Sequence, residues 1–199
     1  MELTRLSTKA NYSVKCVITG HRGGIGLETY NILVNNNYNV VGFDREDQYD
    51  LSNPTTLNLV LAELDNADVF INNAWGPESN FQTTLLKEST KKWVGLSKLI
   101  ININSVAALI DQADWIYEGS YKNYRQDKLD QLEFSRKYSS FTDNVFPKIV
   151  NILPHWVNTN MVKWHDGNKL DPKVIAELIL FQIKFVNDLH IKEVIINAP

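Results

Sequence analysis

The stretch VKCVITGHRGGIG, residues 14–26, joins a run of apolar residues to a glycine-rich turn and then to the start of a helical pattern. The run at 14–20 is rich in β-branched residues and does not alternate with polar ones, which is typical of a strand buried on both faces. Gly20, Gly24 and Gly26 permit a tight turn and close approach of the backbone to a bound group, and the N–H groups that open the next helix can hold an anion. The stretch therefore predicts a buried strand that leads through an anion-binding turn into a helix.

Five more apolar runs of the same kind follow, each separated from the next by a helical pattern. This alternation is typical of a parallel sheet covered by helices on both faces and joined by right-handed crossovers. We therefore predict an α/β fold with a doubly wound parallel sheet of six to seven strands in three layers, α/β/α. The later apolar runs span 38–44, 67–74, 98–105, 147–154 and 192–198. The helical patterns span about 25–36, 54–65, 82–95, 119–140 and 172–188.

Length and composition narrow the classes of protein to consider. A chain of 199 residues, 44% of them hydrophobic, can bury a substantial core, so we expect one domain over 1–199 with 1–13 as an N-terminal extension. The formal charge of -3 and the lack of basic runs argue against nucleic-acid binding, and the longest apolar region is interrupted by polar residues, which argues against a membrane span. A lone cysteine, Cys16, suits a reducing cytoplasm. His165 and Asp166 are too isolated to form a metal site, and none is expected.

Ligands of such a sheet bind beyond the carboxyl ends of the strands, which directs attention to Asp44. This acid ends the second run, 24 positions after Gly20, close to where an acid accepts hydrogen bonds from the ribose hydroxyls of a dinucleotide. Its charge would repel a 2′-phosphate, so NAD is favoured. NADP stays open, because Arg22 or Arg45 could reach a phosphate if Asp44 turned away. The alternative is a structural turn beside a surface acid.

Tyr124 and Lys128 lie four residues apart in the fourth helical pattern, so both side chains project from the same face of a helix. Tyr121 lacks such a partner, because Arg125 follows four positions later and a guanidinium differs from an ammonium in shape and in its permanent charge. An ammonium beside a phenol favours the phenolate and eases proton transfer. The pair is a candidate acid–base site; the alternative is an exposed helix with an incidental Tyr and Lys.

The order of these motifs resembles that of the short-chain dehydrogenase/reductase family, from Val14 to the last predicted strand. The resemblance implies a Rossmann-like fold. Six stretches are similar to the family's TGxxxGxG turn, adenine-packing segment, NNAG motif, serine-bearing strand end, YxxxK pair and PGxxxT segment. In that order they are TGHRGGIG (19–26), DLS (50–52), INNAW (71–75), NINSVAA (102–108), YRQDK (124–128) and NILPHWVNTNM (151–161).

By this resemblance the chain would be an NAD(P)-dependent oxidoreductase that transfers a hydride between nicotinamide and a small alcohol or carbonyl substrate. Tyr124 would be the acid or base, Ser105 would bind the substrate oxygen, and Lys128 would also bind the nicotinamide ribose. Asn80 is the nearest candidate for the family's fourth catalytic residue, an asparagine that supports a relay water. Pairing of family members predicts a homodimer or homotetramer. The implied cofactor-binding residues are Gly20, His21, Arg22, Gly24, Ile25, Gly26, Asp44, Asp50, Leu51, Asn73, Ala74, Tyr124, Lys128, Pro154 and Thr159.

Several positions depart from the family pattern. Only six positions separate Asp44 from Asp50, which leaves no room for the usual helix and reduces the expected third strand to a stub. Trp75 and His155 stand where the family has glycine, so each could pack, contact substrate or narrow the cofactor site. These departures keep a second function open, a dinucleotide-binding sensor or scaffold of the same fold. A sugar-nucleotide epimerase or reductase is a third possibility, but the chain is short for its added substrate domain.

Aromatic residues fall near the expected substrate end of the cleft. The segment after Thr159, residues 161–170, is short for a substrate lid. A brief lid beside aromatic side chains favours a small or flat substrate, although aromatic clusters more often pack cores. The aromatic residues are Trp75, Trp115, Tyr117, Trp156 and Trp164.

Overall fold

The computed structural model describes residues 13–77, 79–110, 120–139 and 147–199. These residues include six strands that form one parallel sheet in the order β2-β1-β3-β4-β5-β6, which confirms the predicted architecture. The strands are β1 (Lys15–Thr19), β2 (Asn39–Phe43), β3 (Val69–Asn72), β4 (Leu99–Ile103), β5 (Lys148–Pro154) and β6 (Glu193–Ile196). The helices are α1 (Gly24–Asn35), α2 (Pro54–Glu63), α3 (Phe81–Lys92), α4 (Ser120–Ser139) and α5 (Pro172–Phe185).

Successive residues of each strand point to opposite sides of the sheet, and helices cover both sides, so the sheet is buried on both faces. In β1, Cys16 and Ile18 pack into the cluster that contains residues of α1 and α5, whereas Val17 packs into the cluster with residues of α2 and α3. Helix α4 lies beside α3. Within the described part of the chain, no helix is both long and apolar enough to cross a membrane.

Two helices begin where the sequence places a capping side chain before a proline. Oδ1 of Asn53 accepts from the backbone N–H of Thr55 at 2.9 Å, and Oδ1 of Asp171 accepts from that of Lys173 at 2.8 Å. A proline follows each cap. It has no backbone N–H, but an N–H at this position has no partner within the helix, so nothing is lost. These caps fix the starts of α2 and α5.

The expected stub of a third strand is not formed. Residues 45–47 make one turn of 3-10 helix after β2, with Asp44 as its cap, and the described residues between this turn and α2 contain no strand. Six positions are too few to leave the sheet edge, reverse and return as a strand, so the chain turns directly toward α2. As a result β2 is an edge strand.

Strand β1 lies between β2 and β3, so the connections leaving β1 and β3 diverge to opposite faces of the sheet. In doubly wound sheets this divergence opens a crevice at the carboxyl ends of the strands. The site described next lies at that edge.

Candidate functional site

A cleft of about 970 Å³ runs along the carboxyl edge of the sheet. It is lined by residues from the turn after β1, the turn after β2 and the segments that follow β3, β4 and β5, together with one face of α4. Of the catalytic and cofactor-binding residues that the resemblance implied, all but His21, Gly26 and Asn80 line the cleft: Gly20, Arg22, Gly24, Ile25, Asp44, Asp50, Leu51, Asn73, Ala74, Ser105, Tyr124, Lys128, Pro154 and Thr159.

The glycine turn after β1 has no room for a side chain at Gly20, Gly24 or Gly26. Gly20 and Gly24 have φ of 74° and 52°, in the left-handed region that favours glycine. A Cβ on Gly26 would lie 1.9 Å from the carbonyl oxygen of Gly20, and a Cβ on Gly24 would lie 2.8 Å from Cγ2 of Thr159. The turn therefore presents bare backbone at the start of α1, the arrangement that a diphosphate needs.

Asn73 ties the end of β3 to this turn. Its Nδ2 donates to the carbonyl oxygens of Thr19 and Gly20, at 2.9 and 3.2 Å. In return, Oγ1 of Thr19 accepts from the backbone N–H groups of Asn73 and Ala74, at 3.0 and 3.1 Å. These four bonds fix the two sides of the crevice relative to each other.

Two aspartates that follow β2, Asp44 and Asp50, line the cleft. The carboxylate of Asp44 accepts from the backbone N–H of Arg22 at 3.2 Å and from that of Glu46 at 3.0 Å. The carboxylate of Asp50 accepts from the hydroxyl and backbone N–H of Ser52, and these hydrogen bonds lower the pKa of Asp50. Backbone N–H groups therefore orient both carboxylates.

His21 does not line the cleft. Its side chain is buried, and Nε2 lies 3.1 Å from Oδ2 of Asp47. The sequence assigned His21 to the cofactor site because it belongs to the glycine motif, but its ring turns under the edge strand and packs against Gly42.

Tyr124 and Lys128 both face the cleft from α4, as their spacing predicts. The ammonium of Lys128 lies 5.4 Å from the centroid of the Tyr124 ring. Nζ of Lys128 donates to the carbonyl oxygen of Ile103 at 2.8 Å and to Oε1 of Gln82 at 2.6 Å. The residue is 2% exposed, and burial lowers the pKa of Lys128 to about 7. The charge of this lysine therefore changes near neutral pH.

Gln82, and not Asn80, contacts the lysine. Asn80 precedes the first turn of α3, is exposed and does not line the cleft, so the structure does not support it as a member of the site. Gln82 lies one position inside α3 and turns inward, where Nε2 donates to the carbonyl oxygens of Asn72 and Ile103, both at 2.9 Å. Those bonds leave Oε1 facing Lys128. Asn80 was predicted because the fourth catalytic residue of the family is an asparagine.

A row of buried asparagines lies behind Gln82. Asn72, Asn102 and Asn151 occupy one register across β3, β4 and β5. Nδ2 of Asn72 donates to Oδ1 of Asn102 at 2.9 Å, and Nδ2 of Asn102 donates to Oδ1 of Asn151 at 3.0 Å. Nδ2 of Asn72 also donates to the carbonyl oxygen of Gln82 at 2.9 Å. The row thus anchors the start of α3 to the sheet.

Ser105 lies at the end of β4 and lines the cleft. Its Oγ accepts from the backbone N–H of Ala107 at 3.1 Å, so the side chain caps the short turn at 106–109. Its own N–H donates to Oδ1 of Asn104, whose Nδ2 donates to the carbonyl oxygen of Lys128. The serine is therefore linked to the helix that carries the lysine, and its O–H hydrogen is not used in the cap.

Aromatic side chains form the wall beyond Tyr124. The ring of Trp75 meets that of Tyr124 edge to face, with centroids 4.8 Å apart. Trp156 stacks on His165 at 4.5 Å and meets Trp164 edge to face at 5.3 Å. His155 also lines this end of the cleft, and Trp115 and Tyr117 lie outside the described residues.

In the ranges that the structure describes, no group of three or more His, Cys, Asp or Glu residues could hold a metal ion. The cleft thus brings together a glycine turn of bare backbone, a phenol and an amine.

The sequence matches no protein-family model and no curated protein. The structure, in contrast, is similar to solved dehydrogenases. A 3-alpha-hydroxysteroid dehydrogenase from a Pseudomonas species, complexed with NADH, gives a TM-score of 0.74 at 17% identity over 92% of this chain and 95% of that chain. A 4-hydroxyisoleucine dehydrogenase complexed with NADH gives 0.72 at 17% identity over 94% and 98%.

A short-chain dehydrogenase from Burkholderia cenocepacia, in complex with NADP, gives a TM-score of 0.68 at 14% identity over 94% of this chain and 89% of that chain. Identities this low establish the architecture and nothing finer. The chain therefore has the fold of the short-chain dehydrogenases/reductases.

Proposed function

We propose that this chain is an NAD(P)-dependent oxidoreductase that transfers a hydride between a nicotinamide and a small alcohol or carbonyl substrate. One observation carries the proposal: Tyr124 and the buried ammonium of Lys128 face the same cleft as the glycine turn. A phenol, an amine and an anion-binding turn in one cleft suit proton transfer beside a bound dinucleotide.

The residues of the cleft fit a nicotinamide dinucleotide. A Cβ on Gly20, Gly24 or Gly26 would lie within 3.0 Å of neighbouring atoms, so the turn leaves only backbone to meet a diphosphate. Asp44 would accept hydrogen bonds from the adenosine ribose, and Lys128 would donate to the nicotinamide ribose. When bound, the dinucleotide supplies or accepts the hydride.

Tyr124 would give a proton to the substrate oxygen in reduction and take one back in oxidation. Lys128, whose pKa burial lowers to about 7, would be partly charged at neutral pH and would favour the phenolate while charged. Ser105 would donate its hydroxyl hydrogen to the same substrate oxygen and stabilise charge that develops there. Each of these roles falls to a side chain that lines the cleft.

The aromatic wall supports a small or flat substrate. Trp75 lines the cleft and meets Tyr124 edge to face, and Trp156 and Trp164, which also line the cleft, meet each other edge to face. Flat apolar molecules bind well between such rings. The neighbours in complex with NADH and NADP support the cofactor class, and Asp44 supports NAD as the preferred member.

A binding role without turnover is the second candidate. Trp75 stands where glycine was expected, and its ring meets that of Tyr124 edge to face, which reduces the space for a substrate. Such a protein would sense or carry the dinucleotide.

Titration of the purified protein with NADH, followed by a turnover panel of ketones and secondary alcohols, separates these outcomes. The proposal expects saturable NADH binding and a change in nicotinamide absorbance with at least one panel member. Binding without turnover would favour the sensor. Failure to bind either NADH or NADPH would contradict both.

A further inference from the structure

Asp47 binds the side chain of Arg22 at the rim of the cleft. Nε of Arg22 donates to the two carboxylate oxygens of Asp47, at 2.9 and 3.1 Å, and Nη2 contacts the same carboxylate. A two-pronged pair of this kind fixes the direction of the guanidinium as well as its position. The hydrogen bond from Arg22 also lowers the pKa of Asp47, which keeps the carboxylate charged.

His21 also contacts the carboxylate of Asp47. Its Nε2 lies 3.1 Å from Oδ2 of Asp47, and its side chain is 10% exposed. The ring fills the space over Gly42, where an added Cβ would come within 2.4 Å of it, and it lies 5.2 Å from the ring of Tyr30. An exposed ion pair often contributes little because both side chains move. Here one partner is anchored to a buried ring, so the carboxylate is a fixed acceptor.

Arg22 lies beside the acid that would bind the ribose. Its backbone N–H donates to Oδ2 of Asp44 at 3.2 Å, and both residues line the cleft. A 2′-phosphate on a ribose bound at Asp44 would therefore arrive next to Arg22. A guanidinium matches phosphate geometry better than any other side chain. Asp47 itself does not line the cleft, so it draws the guanidinium toward the rim.

We infer that Asp47 is a specificity-determining residue: by binding Arg22 it withholds that guanidinium from the ribose 2′ position, so that of the two arginines lining the cleft only Arg45 is left to meet a 2′-phosphate, and together with Asp44 it favours NADH over NADPH. This inference rests on the proposed function and extends it to cofactor choice. Asp44 acts by repelling a 2′-phosphate, whereas Asp47 acts through the arginine without touching the cofactor. The chain thus contains a phosphate-binding side chain that is held out of use.

The test compares dissociation constants for NADH and NADPH, followed by tryptophan fluorescence, in wild type, Asp47→Ala and the isosteric Asp47→Asn. Wild type should prefer NADH. Each Asp47 variant should bind NADPH about tenfold more tightly than wild type, the typical contribution of one charge-assisted hydrogen bond, with little change for NADH. The double variant Arg22→Ala, Asp47→Ala should lose the gain.

Glu46→Ala is the charge-matched control, because Glu46 lines the cleft one residue earlier and carries the same charge, but the hydrogen bonds of the Arg22 guanidinium go to Asp47 and not to Glu46. An equal NADPH gain in Glu46→Ala, or a gain that survives in the double variant, would overturn the inference by showing a general charge effect. NADH binding with no NADPH gain in either Asp47 variant would overturn the inference and leave the proposed function intact. Absence of NADH binding in wild type would overturn both.

Discussion

The ammonium of Lys128 lies 2.6 Å from the side-chain oxygen of Gln82, and this contact joins the first turn of α3 to the middle of α4. Gln82 is itself held by the carbonyl oxygens at the ends of β3 and β4. A neutral amide in this position orients the ammonium without adding a charge. The electrostatics of the proposed acid–base pair therefore depend on a residue that does not carry out the chemistry.

Gln82→Glu should shift the pH dependence of turnover. A carboxylate beside the ammonium raises the pKa of Lys128 from its lowered value, so the loss of kcat/KM that accompanies its deprotonation should move up by about one pH unit or more. Gln82→Met, which removes the acceptor, should move the loss to lower pH. The matched control is Gln126→Met, because Gln126 is exposed on α4. Identical profiles for all three variants would contradict the role of Gln82.

Lys128→Met should change how stability depends on pH. Because burial lowers the pKa of Lys128 from 10.5 to about 7, between these values the unfolded chain binds a proton that the folded chain does not. The free energy of unfolding of wild type should therefore rise relative to the variant by roughly 1.4 kcal/mol per pH unit in this window and stay level below it.

Urea unfolding at about pH 6, 8 and 9 measures this difference. Lys91→Met is the control, since Lys91 is exposed on α3, and its difference from wild type should not follow that slope. Parallel pH curves for wild type and Lys128→Met would show that the ammonium is solvated and not buried.

Gly24→Ala should destabilise the fold, whereas Gly23→Ala should not. Gly24 has a φ of 52°, and an added Cβ would lie 2.8 Å from Cγ2 of Thr159, while a Cβ on Gly23 meets nothing within 4 Å. The left-handed backbone alone costs a non-glycine residue about 1 to 2 kcal/mol. Thermal or urea unfolding of the two variants provides the comparison, and equal stability would contradict the described turn.

Trp164→Ala should weaken substrate binding and leave the cofactor unaffected. Trp164 is 53% exposed and lines the cleft. Loss of one aromatic wall should raise KM for a flat substrate roughly tenfold. NADH affinity should stay constant, as should both quantities in Phe185→Ala, an exposed aromatic on α5. A change in NADH affinity alone would place Trp164 on the cofactor side instead.

Much of the fold was predictable because parallel strands buried on both faces leave continuous apolar runs. In the part of the chain that the structure describes, all six strands and all five α-helices lie within or close to the predicted ranges. The turn after β2 was less predictable: the family pattern indicated a stub of a strand, but six positions sufficed only for one 3-10 turn. That turn places Asp47 next to Arg22, a contact between short loops that no periodicity marks.

The asparagine row can be recognised in the sequence. VFIN, LIIN and KIVN each carry an asparagine at the fourth place of a buried run, and the strands align these positions in register. A polar residue inside a run buried on both faces needs hydrogen-bond partners. Three asparagines at the same place in three such runs therefore predict hydrogen bonds between their side chains. Gln82 left no such signal, because a glutamine in the first turn of a helix is usually exposed.

The direct test of the central claim is the turnover of Tyr124→Phe, compared with wild type and with Tyr138→Phe in the same helix. Tyr138 packs against Phe134 and does not line the cleft, so its substitution removes a hydroxyl without touching the site. The account predicts NADH binding in all three proteins, and turnover that falls by a factor of about 100 or more in Tyr124→Phe alone, the usual contribution of a positioned proton donor. Unchanged turnover in Tyr124→Phe would contradict it.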